Sequence, residues 1–183
     1  VINAAGAWSP KIGEMVGAEI PVKPYRHQIM VTEPIEHIQD PLIVDFFHNL
    51  YFRQTVEGTF VMGQSDPGEP SSFETRNTWK FIHEVARKVT HLVPALKDVN
   101  LVRAWAGMYE VTPDAQPIIG HVNEIENFLT ATGYSGHGYM LAPASGLILS
   151  EMVAYGESRT LPVEECSIER FERGDIVHEA NVV

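Results

Sequence analysis

The chain has 183 residues, of which 44% are hydrophobic, and this is enough to build one or two packed domains. Its 13 basic and 24 acidic residues give a formal net charge of −11, which argues against nucleic acid as a partner. The single cysteine, Cys166, excludes an internal disulfide bond and favours a reducing compartment, and no apolar run reaches the ~20 residues that a membrane span requires.

The first 20 residues predict one βα unit. A short apolar strand opens the chain, small residues follow it, and a helix begins near Ser9. The apolar positions that this helix would bury are Ile12, Met15 and Val16. Pro21 and Pro24 then interrupt the pattern and indicate a crossing into a second domain.

The next part of the chain, up to residue 64, has the composition typical of β-structure. Four strands are expected, and a two-residue hairpin loop at Glu57-Gly58 joins the last two. These strands span residues 28–32, 42–46, 50–56 and 59–64.

The hairpin decides which side chains share a face of the sheet. A two-residue loop places Arg53 on the same face as Phe60 and Met62, and Tyr51 and Thr55 belong to that face too. An arginine among aromatic and apolar side chains needs an anionic partner. A substrate carboxylate, bound bidentately, is one candidate for that partner, and an acidic residue at a domain interface is the other.

The clearest predicted helix spans residues 73–93. Its apolar residues recur at helical spacing, and its polar residues fill the other side. Ser71 and Glu74 have the spacing of a capping box at its start, and Pro94 ends it. A strand at residues 101–111 follows.

A glycine-rich loop links the last predicted strand, residues 128–132, to the last predicted helix, residues 140–155. Gly133, Gly136 and Gly138 permit positive φ angles and a close approach of the backbone to a ligand. The helix N-terminus adds free N–H groups and a partial positive charge. The loop therefore suits an anion or an electron-rich ring edge, and close packing alone is the alternative.

Three segments occur in a fixed order along the chain: VINAAGAWS at residues 1–9, RAWAGMYEVTPDAQPIIG at 103–120 and GYSGHGYMLAPASG at 133–146. Together they resemble the C-terminal half of the flavin-dependent amino-acid oxidoreductases. That family includes glycine oxidase, the sarcosine oxidase β subunit, dimethylglycine dehydrogenase and the β subunit of archaeal proline dehydrogenase. The resemblance covers about residues 1–155. It implies oxidation of the C–N bond of a small amino acid or N-alkyl amino acid by hydride transfer to FAD.

The resemblance implies two sets of cofactor contacts. Gly6, Ala7 and Trp8 match a segment in which small residues pass close to the nucleotide. The glycine-rich loop matches residues at the edge of the flavin ring, where a helix N-terminus would favour negative charge. The loop residues are Gly133, Tyr134, Ser135, Gly136, His137, Gly138, Tyr139 and Met140. His137 would either contact the ring or face solvent while the backbone binds.

The strand at residues 101–111 carries the remaining implied contacts. Its alternate residues share a face that in the family runs beside the flavin: Arg103, Trp105, Gly107 and Tyr109. Gly107 stands near the place where some monomeric sarcosine oxidases have a flavin-linking cysteine, so FAD is expected to be held non-covalently through this portion. Tyr109 stands where glycine oxidases carry an arginine, and it would either bind the substrate carboxylate or pack.

The implied fold is α/β plus α+β. Pieces of a flavin-binding α/β domain, residues 1–20 and 115–156, flank an antiparallel-sheet substrate domain with one covering helix, residues 21–114. The acidic C-terminal tail, residues 157–183, is expected to be a solvated segment.

The G-x-G-x-x-G turn that holds the pyrophosphate of a dinucleotide does not occur in the sequence. We therefore expect the C-terminal portion of a larger enzyme, inactive without its dinucleotide-binding half. A D-amino-acid dehydrogenase is the near alternative within the class. A non-catalytic interaction scaffold, which self-associates through exposed apolar surface, is the alternative outside it.

The expected partners are a small amino-acid substrate and the missing N-terminal half or a partner subunit. The expected location is the cytoplasm, with a peripheral attachment to the membrane left open. The histidines have no metal-ligand spacing, and no G-x-S-x-G elbow accompanies Ser135, Ser145 and His137. The sequence therefore predicts no metal site and no nucleophile–base pair, and it assigns no catalytic residue.

Overall fold

The structure is a computed structural model that describes residues 1–122 and 125–177. It divides into two compact units. The first comprises Val1–Tyr25 and the described residues from Tyr109 onwards, and the second comprises Arg26–Met108. These borders lie a few residues from the expected domain borders. In the expected tail, residues 157–177 belong to the first unit, and residues 178–183, with His178, lie outside the described residues.

The described residues contain both strands and helices. The strands are β1 (Ile2–Asn3), β2 (Lys23–Thr32), β3 (Ile43–Asp45), β4 (Leu50–Gln54), β5 (Phe60–Gln64), β6 (Leu101–Val111), β7 (Ile118–His121) and β8 (Leu129–Thr132). The α-helices are α1 (Ser9–Glu14), α2 (Trp79–Leu92), α3 (Gly138–Tyr155) and α4 (Arg170–Arg173), and 3-10 helices form at Gly6–Trp8, Pro94–Leu96 and Glu164–Cys166. No helix in these parts of the chain has the length and hydrophobicity needed to cross a membrane.

The three-stranded sheet of the first unit has the order β1-β8-β7. β1 runs parallel to β8, with Ile2 opposite Leu129, and β7 runs antiparallel to β8. β7 alternates between two apolar clusters: Ile118 packs with Phe128, and Ile119 belongs to the cluster that includes α3. The sequence analysis missed β7 because its alternation covers only four residues.

The five-stranded sheet has the order β3-β4-β5-β2-β6, and α2 covers one of its faces. α2 presents Phe81, Val85 and Val89 at helical spacing to this face. The strand residues that they meet are Met30, Leu50, Phe52, Phe60 and Met62. The other face, called the open face below, carries half-buried or exposed side chains on β2 to β5: His27, Ile29, Val31, Val44, Tyr51, Arg53 and Val61.

The expected placement of Tyr51 and Arg53 with Phe60 and Met62 is wrong. In the ladder of β4 and β5, Arg53 is opposite Val61, which puts Arg53 and Tyr51 on the open face. Phe60 and Met62 are buried against α2 instead. A shift of one residue in register moves every side chain of a strand to the other face of the sheet. This shift accounts for the wrong predicted face of Tyr51 and Arg53.

The hairpin loop explains the shift in register. Thr55 N donates to Thr59 O at 2.8 Å, so three residues form the turn where two were expected. Gly58 closes the turn with a φ of +92°, and its N–H donates to Thr55 O at 3.0 Å. The Glu57-Gly58 pair therefore belongs to a longer turn with glycine in the left-handed region.

The helix expected at residues 73–93 begins later. Thr78 caps α2 by accepting a hydrogen bond from Phe81 N at 3.2 Å. The expected capping box does not form, because Glu74 accepts from the backbone N–H of Arg76 at 2.8 Å and pairs with its guanidinium at 2.6 Å. Glu74 is thus engaged with Arg76 before the helix begins.

Two other helical expectations also change. α1 has six residues, and Met15 and Val16, which follow it, are exposed rather than buried. The Met15 side chain is 77% exposed. α3 begins at Gly138, two residues before the expected start, and so places Pro143 in its second turn. Because proline has no N–H, the carbonyl of Tyr139 lacks its usual helical donor there.

A buried ion pair anchors the C-terminal segment. Arg170 in α4 donates from Nε to Asp114 at 2.7 Å and from a terminal nitrogen at 3.0 Å, and both side chains are at most 2% exposed. The carbonyls of Gln116 and Ser167 accept from the rest of the guanidinium. The expected solvated tail is therefore packed at this point, although most of its acidic side chains are exposed.

Candidate functional site

The first candidate site lies at the carboxyl ends of β1 and β8. Because these strands are parallel neighbours, the segments that follow them leave the sheet at the same edge. Thr132, the last residue of β8, donates from Oγ1 to Gly6 O at 3.2 Å and so joins the two segments. In open α/β sheets this edge is where ligands bind. The structure thus brings Gly6–Trp8 and the loop that begins at Gly133 together.

The glycine-rich loop has a backbone that few other residues could adopt. Gly133 and Gly136 have φ angles of +78° and +99°, and Ser135 between them has +51°. A Cβ atom on Gly136 would lie 2.6 Å from ring atoms of Tyr109. Glycine is therefore required at Gly136 both by conformation and by the ring that covers it.

The loop is held against the end of β6. Ser135 N donates to Glu110 O at 3.1 Å, and Tyr134 N lies 3.4 Å from the Glu110 carboxylate. Burial raises the pKa of the Glu110 carboxyl group, and hydrogen bonds from the backbone offset part of that rise. His137 N donates to Tyr134 O at 2.9 Å and turns the chain into α3. These bonds fix the loop before any ligand arrives.

The N-terminus of α3 follows the loop directly. The N–H groups of Gly138, Tyr139 and Met140 have no helical acceptor, because the first i to i−4 bond runs from Leu141 N to His137 O at 3.3 Å. The first turn contains no acidic residue, and the half-buried His137 does not cap it through its side chain. The end of the helix therefore keeps its partial positive charge available to a ligand.

Tyr139 and Met140 project from this first turn and are 96% and 69% exposed. Trp8 is also half-exposed, whereas Ala7 is buried. Gly107 on β6 is exposed, and a Cβ added there would meet nothing within 4 Å. At Gly107 the described residues thus leave open space, in contrast to the crowded Gly136.

The second candidate site is the open face of the five-stranded sheet. Ala104 of β6 packs against the α2 side, so its neighbours Arg103 and Trp105 lie on the open face by alternation. The Arg103 guanidinium lies 5.4 Å from the centre of the Trp105 ring. Arg53 is exposed on the same face. The open face therefore carries two cations beside aromatic surface.

Tyr51 lies across the open face. Its ring extends over Gly63 of β5, where a Cβ atom would be 2.5 Å from the ring carbon that carries the hydroxyl. The hydroxyl is 3.0 Å from His27 Nε2 on β2, and the two rings are nearly parallel, 10° apart with centroids at 5.7 Å. Burial lowers the pKa of His27 to about 4, so its imidazole is neutral near pH 7.

The hairpin loop carries one acid near the open face. The pKa of the exposed Glu57 carboxyl group is lowered, mainly by a hydrogen bond from Thr55 and to a smaller extent by the charge of Arg53. The charge of Glu57 thus lies near Arg53, which is exposed and not among buried apolar side chains as expected.

Sequence reasoning missed His27 and Gly63. Both follow from the correct register of β4, β5 and β2, in which Tyr51 is opposite Gly63 and Gly63 is opposite Ile29. A glycine inside a strand is a signal of close approach by another group, and that signal was present at Gly63. Among the described residues, no group of three or more His, Cys, Asp or Glu side chains could hold a metal ion.

An α/β unit with a glycine-lined sheet edge, in one chain with an antiparallel sheet and a single covering helix, is the architecture that the resemblance to flavin-dependent oxidoreductases implies. The profile of the DAO family, described as FAD dependent oxidoreductase, matches residues 1–152. The chain belongs to this family. The resemblance drawn from the three motifs is thereby confirmed.

The relatives agree with this assignment. L-proline dehydrogenase from P. horikoshii superposes with a TM-score of 0.88 at 38% identity, covering 96% of this chain and 48% of that one, which confirms the expected fold class. Hydrogen cyanide synthase subunit HcnC of Pseudomonas aeruginosa is 34% identical over 90% of this chain and 38% of its own length. Sarcosine oxidase subunit beta of Rhizobium meliloti is 27% identical over 96% and 42%. The chain thus spans less than half the length of these relatives.

Proposed function

We propose that this chain is part of a flavoprotein that oxidises the C–N bond of a small amino acid or N-alkyl amino acid. The observation that carries the proposal is the shared edge of β1 and β8, where Gly6 and the loop from Gly133 meet. Membership of the FAD dependent oxidoreductase family supports it. So do relatives whose names specify oxidation of sarcosine and L-proline.

The residues at this edge fit a flavin. Positive φ angles bring the backbone of Gly133 and Gly136 close to a ligand, and the end of α3 would stabilise adjacent negative charge by about 1 kcal/mol. We assign Gly6–Trp8 and residues 133–140 to non-covalent FAD binding, with Gly107 as a further contact. When bound, FAD would accept a hydride from the amino acid and leave an imine.

The open face fits the other part of the task, which is to bind an amino acid. Arg53 offers a guanidinium for the substrate carboxylate, and Tyr51 offers a hydroxyl. We keep Tyr109 as a third substrate-binding residue, although its ring also packs over Gly136. In this assignment the first unit is the FAD-binding domain and the second is the substrate domain, with the C-terminal tail attached to the first by Arg170.

The test is a substrate panel on the purified whole protein that contains this chain. The protein is supplied with an artificial electron acceptor and, in separate assays, with glycine, sarcosine, L-proline or a D-amino acid. The carbonyl product that forms when the imine hydrolyses is measured. The proposal is supported by turnover of a secondary or primary amino acid that becomes slower at low substrate concentration in Arg53→Ala. Arg87→Ala, on the polar side of α2, is the control and should leave turnover unchanged. No turnover of any amino acid by a protein that holds FAD would refute it.

A second proposal concerns assembly. α3 is apolar nearly all round, yet Tyr139, Met140, Leu147 and Val153 are exposed. A helix of this composition is usually buried on every side. We propose that the rest of the protein or a partner subunit covers it, since two of the relatives carry the word subunit in their names.

A further inference from the structure

One row of side chains crosses the open face and begins with an arginine. Arg53 on β4 is opposite Val61 on β5, and Val61 is opposite Val31 on β2. Arg53 is exposed, and the two valines are half-buried. The row therefore has a cation at one end and an apolar floor on the next two strands.

The strand at the other end of the row is β6, which carries Arg103 on the same face. Glu33, one residue beyond β2, donates from its N–H to the carbonyl of Asn100, one residue before β6, at 2.9 Å. The end of β2 thus lies beside the start of β6, so these neighbouring strands run in opposite directions. Two residues back along β2 is Val31, and three residues forward along β6 is Arg103. Arg103 therefore lies within one residue of the end of the row.

The two arginines are separated by the width of the apolar floor. β4 and β6 are three interstrand spacings apart, which is ~14 Å between their backbones. None of the described strand residues on the open face is acidic. A ligand that lies along the row therefore meets a guanidinium at each end and aliphatic surface between them.

The two arginines differ in their surroundings. The Glu57 carboxylate of the hairpin loop lies near Arg53. Among the described residues, by contrast, none accepts a hydrogen bond from Arg103 or forms an ion pair with it. Its guanidinium lies 5.4 Å from the centre of the Trp105 ring instead. A guanidinium beside an aromatic ring keeps its N–H donors at its edge, where a carboxylate can bind them.

A substrate with one carboxylate can pair with only one of these cations. Under the proposed function, Arg53 takes the carboxylate next to the C–N bond that is oxidised. In a substrate site that excludes water, Arg103 would then lose its hydration without gaining an anion, and that loss costs free energy. A second carboxylate on the substrate would supply the missing anion.

We propose that the substrate is an amino acid with two carboxylates and that Arg103 is the specificity-determining residue that binds the second one. The inference rests on the proposed function, because it names the class of amino acid that the same site oxidises. Its consequence is that a dicarboxylic or N-carboxyalkyl amino acid is a better substrate than an uncharged analogue of the same size.

The experiment compares two secondary amines in the whole flavoprotein with FAD bound. Iminodiacetate and N-ethylglycine differ only in a terminal carboxylate against a terminal methyl group. kcat and KM are measured for both with an artificial electron acceptor, and sarcosine is the reference for activity. The variants are Arg103→Met, which removes the charge, and Arg103→Lys, which keeps it. Arg87→Met removes an exposed cation from the polar side of α2 and is the matched control.

We expect the wild-type protein to favour iminodiacetate over N-ethylglycine about tenfold in kcat/KM, as for one charge-assisted hydrogen bond. Arg103→Met should remove this preference, and Arg103→Lys should keep part of it, because the charge remains without the planar fork. Arg87→Met should keep the preference in full, which separates the position of the charge from the net charge. The loss in Arg103→Met should appear in KM and leave kcat nearly unchanged, since the second carboxylate does not react.

Four results would overturn the inference. The first three are equal kcat/KM for the two amines in the wild-type protein, a preference for iminodiacetate that persists in Arg103→Met, and equal losses for both amines in that variant. The fourth, turnover of sarcosine without turnover of iminodiacetate, would leave the proposed function intact. Failure of the proposed function looks different, because a protein that holds FAD would then oxidise none of the three amines.

Discussion

At the scale of single residues, the firmest interaction is the ion pair of Arg170 and Asp114. Burial alone would raise the pKa of Asp114, but hydrogen bonds from Arg170 and neighbouring groups outweigh it and hold the pKa below its usual range. A carboxyl group with a lowered pKa stabilises the folded state above its unfolded pKa of ~3.9, and this contribution is lost as the pH falls further. The ion pair therefore stabilises the folded chain at neutral pH.

Removing Arg170 should leave a buried charge unpaired. We expect Arg170→Met to lower the free energy of unfolding of the 183-residue chain by about 3–5 kcal/mol at pH 7, measured by urea denaturation. The loss should already shrink as the pH falls towards the ordinary carboxyl pKa of ~3.9, because burial without Arg170 raises the pKa of Asp114 in the variant and lets it become protonated earlier. Arg173→Ala, which breaks an exposed pair with Asp175, is the control and should cost less than about 0.5 kcal/mol. Equal effects of the two substitutions would contradict the account.

A substitution at Gly136 tests how tightly the glycine-rich loop is packed. Gly136→Ala forces a side chain into the left-handed region and against the Tyr109 ring, so it should destabilise the chain by roughly 1–3 kcal/mol. In the whole protein it should also release FAD. Gly146→Ala, in open space on α3, should instead stabilise the chain by about 0.5–1 kcal/mol. Thermal unfolding of both variants measures the contrast, and a tolerated Gly136→Ala would mean that the loop is not as tightly built as described.

At the scale of elements, the sequence predicted most strands and helices but not how strands align. The strand at residues 101–111 was predicted with its bounds as observed, and α2 ended close to where Pro94 required. The predicted face of Arg53 was wrong, because the sequence Glu57-Gly58 is compatible with a two-residue or a three-residue turn. Only the packing of Phe60 against α2 selects the longer turn.

The start of α2 offers a direct test at this scale. Thr78→Ala removes the side chain that caps Phe81 N, so it should cost about 1 kcal/mol of stability. Ser71→Ala, at the start that the sequence pattern favoured, should change stability by less than about 0.5 kcal/mol. Urea denaturation of the two variants shows which residue caps the start of α2. A larger loss of stability in Ser71→Ala than in Thr78→Ala would contradict the start at Thr78 and favour the capping box of Ser71 and Glu74.

At the scale of the whole molecule, three motifs in order were enough to predict the family and the fold class. Short motifs carry this information because they specify backbone conformation, as at Gly136, which other residues cannot reproduce. Contacts between distant residues could not be predicted. Asp114 and Arg170 are 56 residues apart, and Tyr51 and His27 meet only through the order of three strands.

The absent G-x-G-x-x-G turn leads to a prediction about cofactor retention. We expect the 183-residue chain alone to lose FAD on gel filtration and the whole protein to keep it, because the pyrophosphate would lack its helix N-terminus in the shorter form. Flavin absorbance of the protein peak measures this. Stoichiometric FAD on the 183-residue chain would mean that the edge of β1 and β8 suffices for binding.

The most direct measurement of the central claim is the visible spectrum of the whole protein without oxygen, before and after addition of L-proline, sarcosine or glycine. Our account predicts flavin bands that at least one of these amino acids bleaches, and bleaching that Arg53→Ala or Tyr51→Phe slows at low substrate concentration. A colourless protein, or flavin bands that no amino acid changes, would contradict the assignment of this chain to amino-acid oxidation.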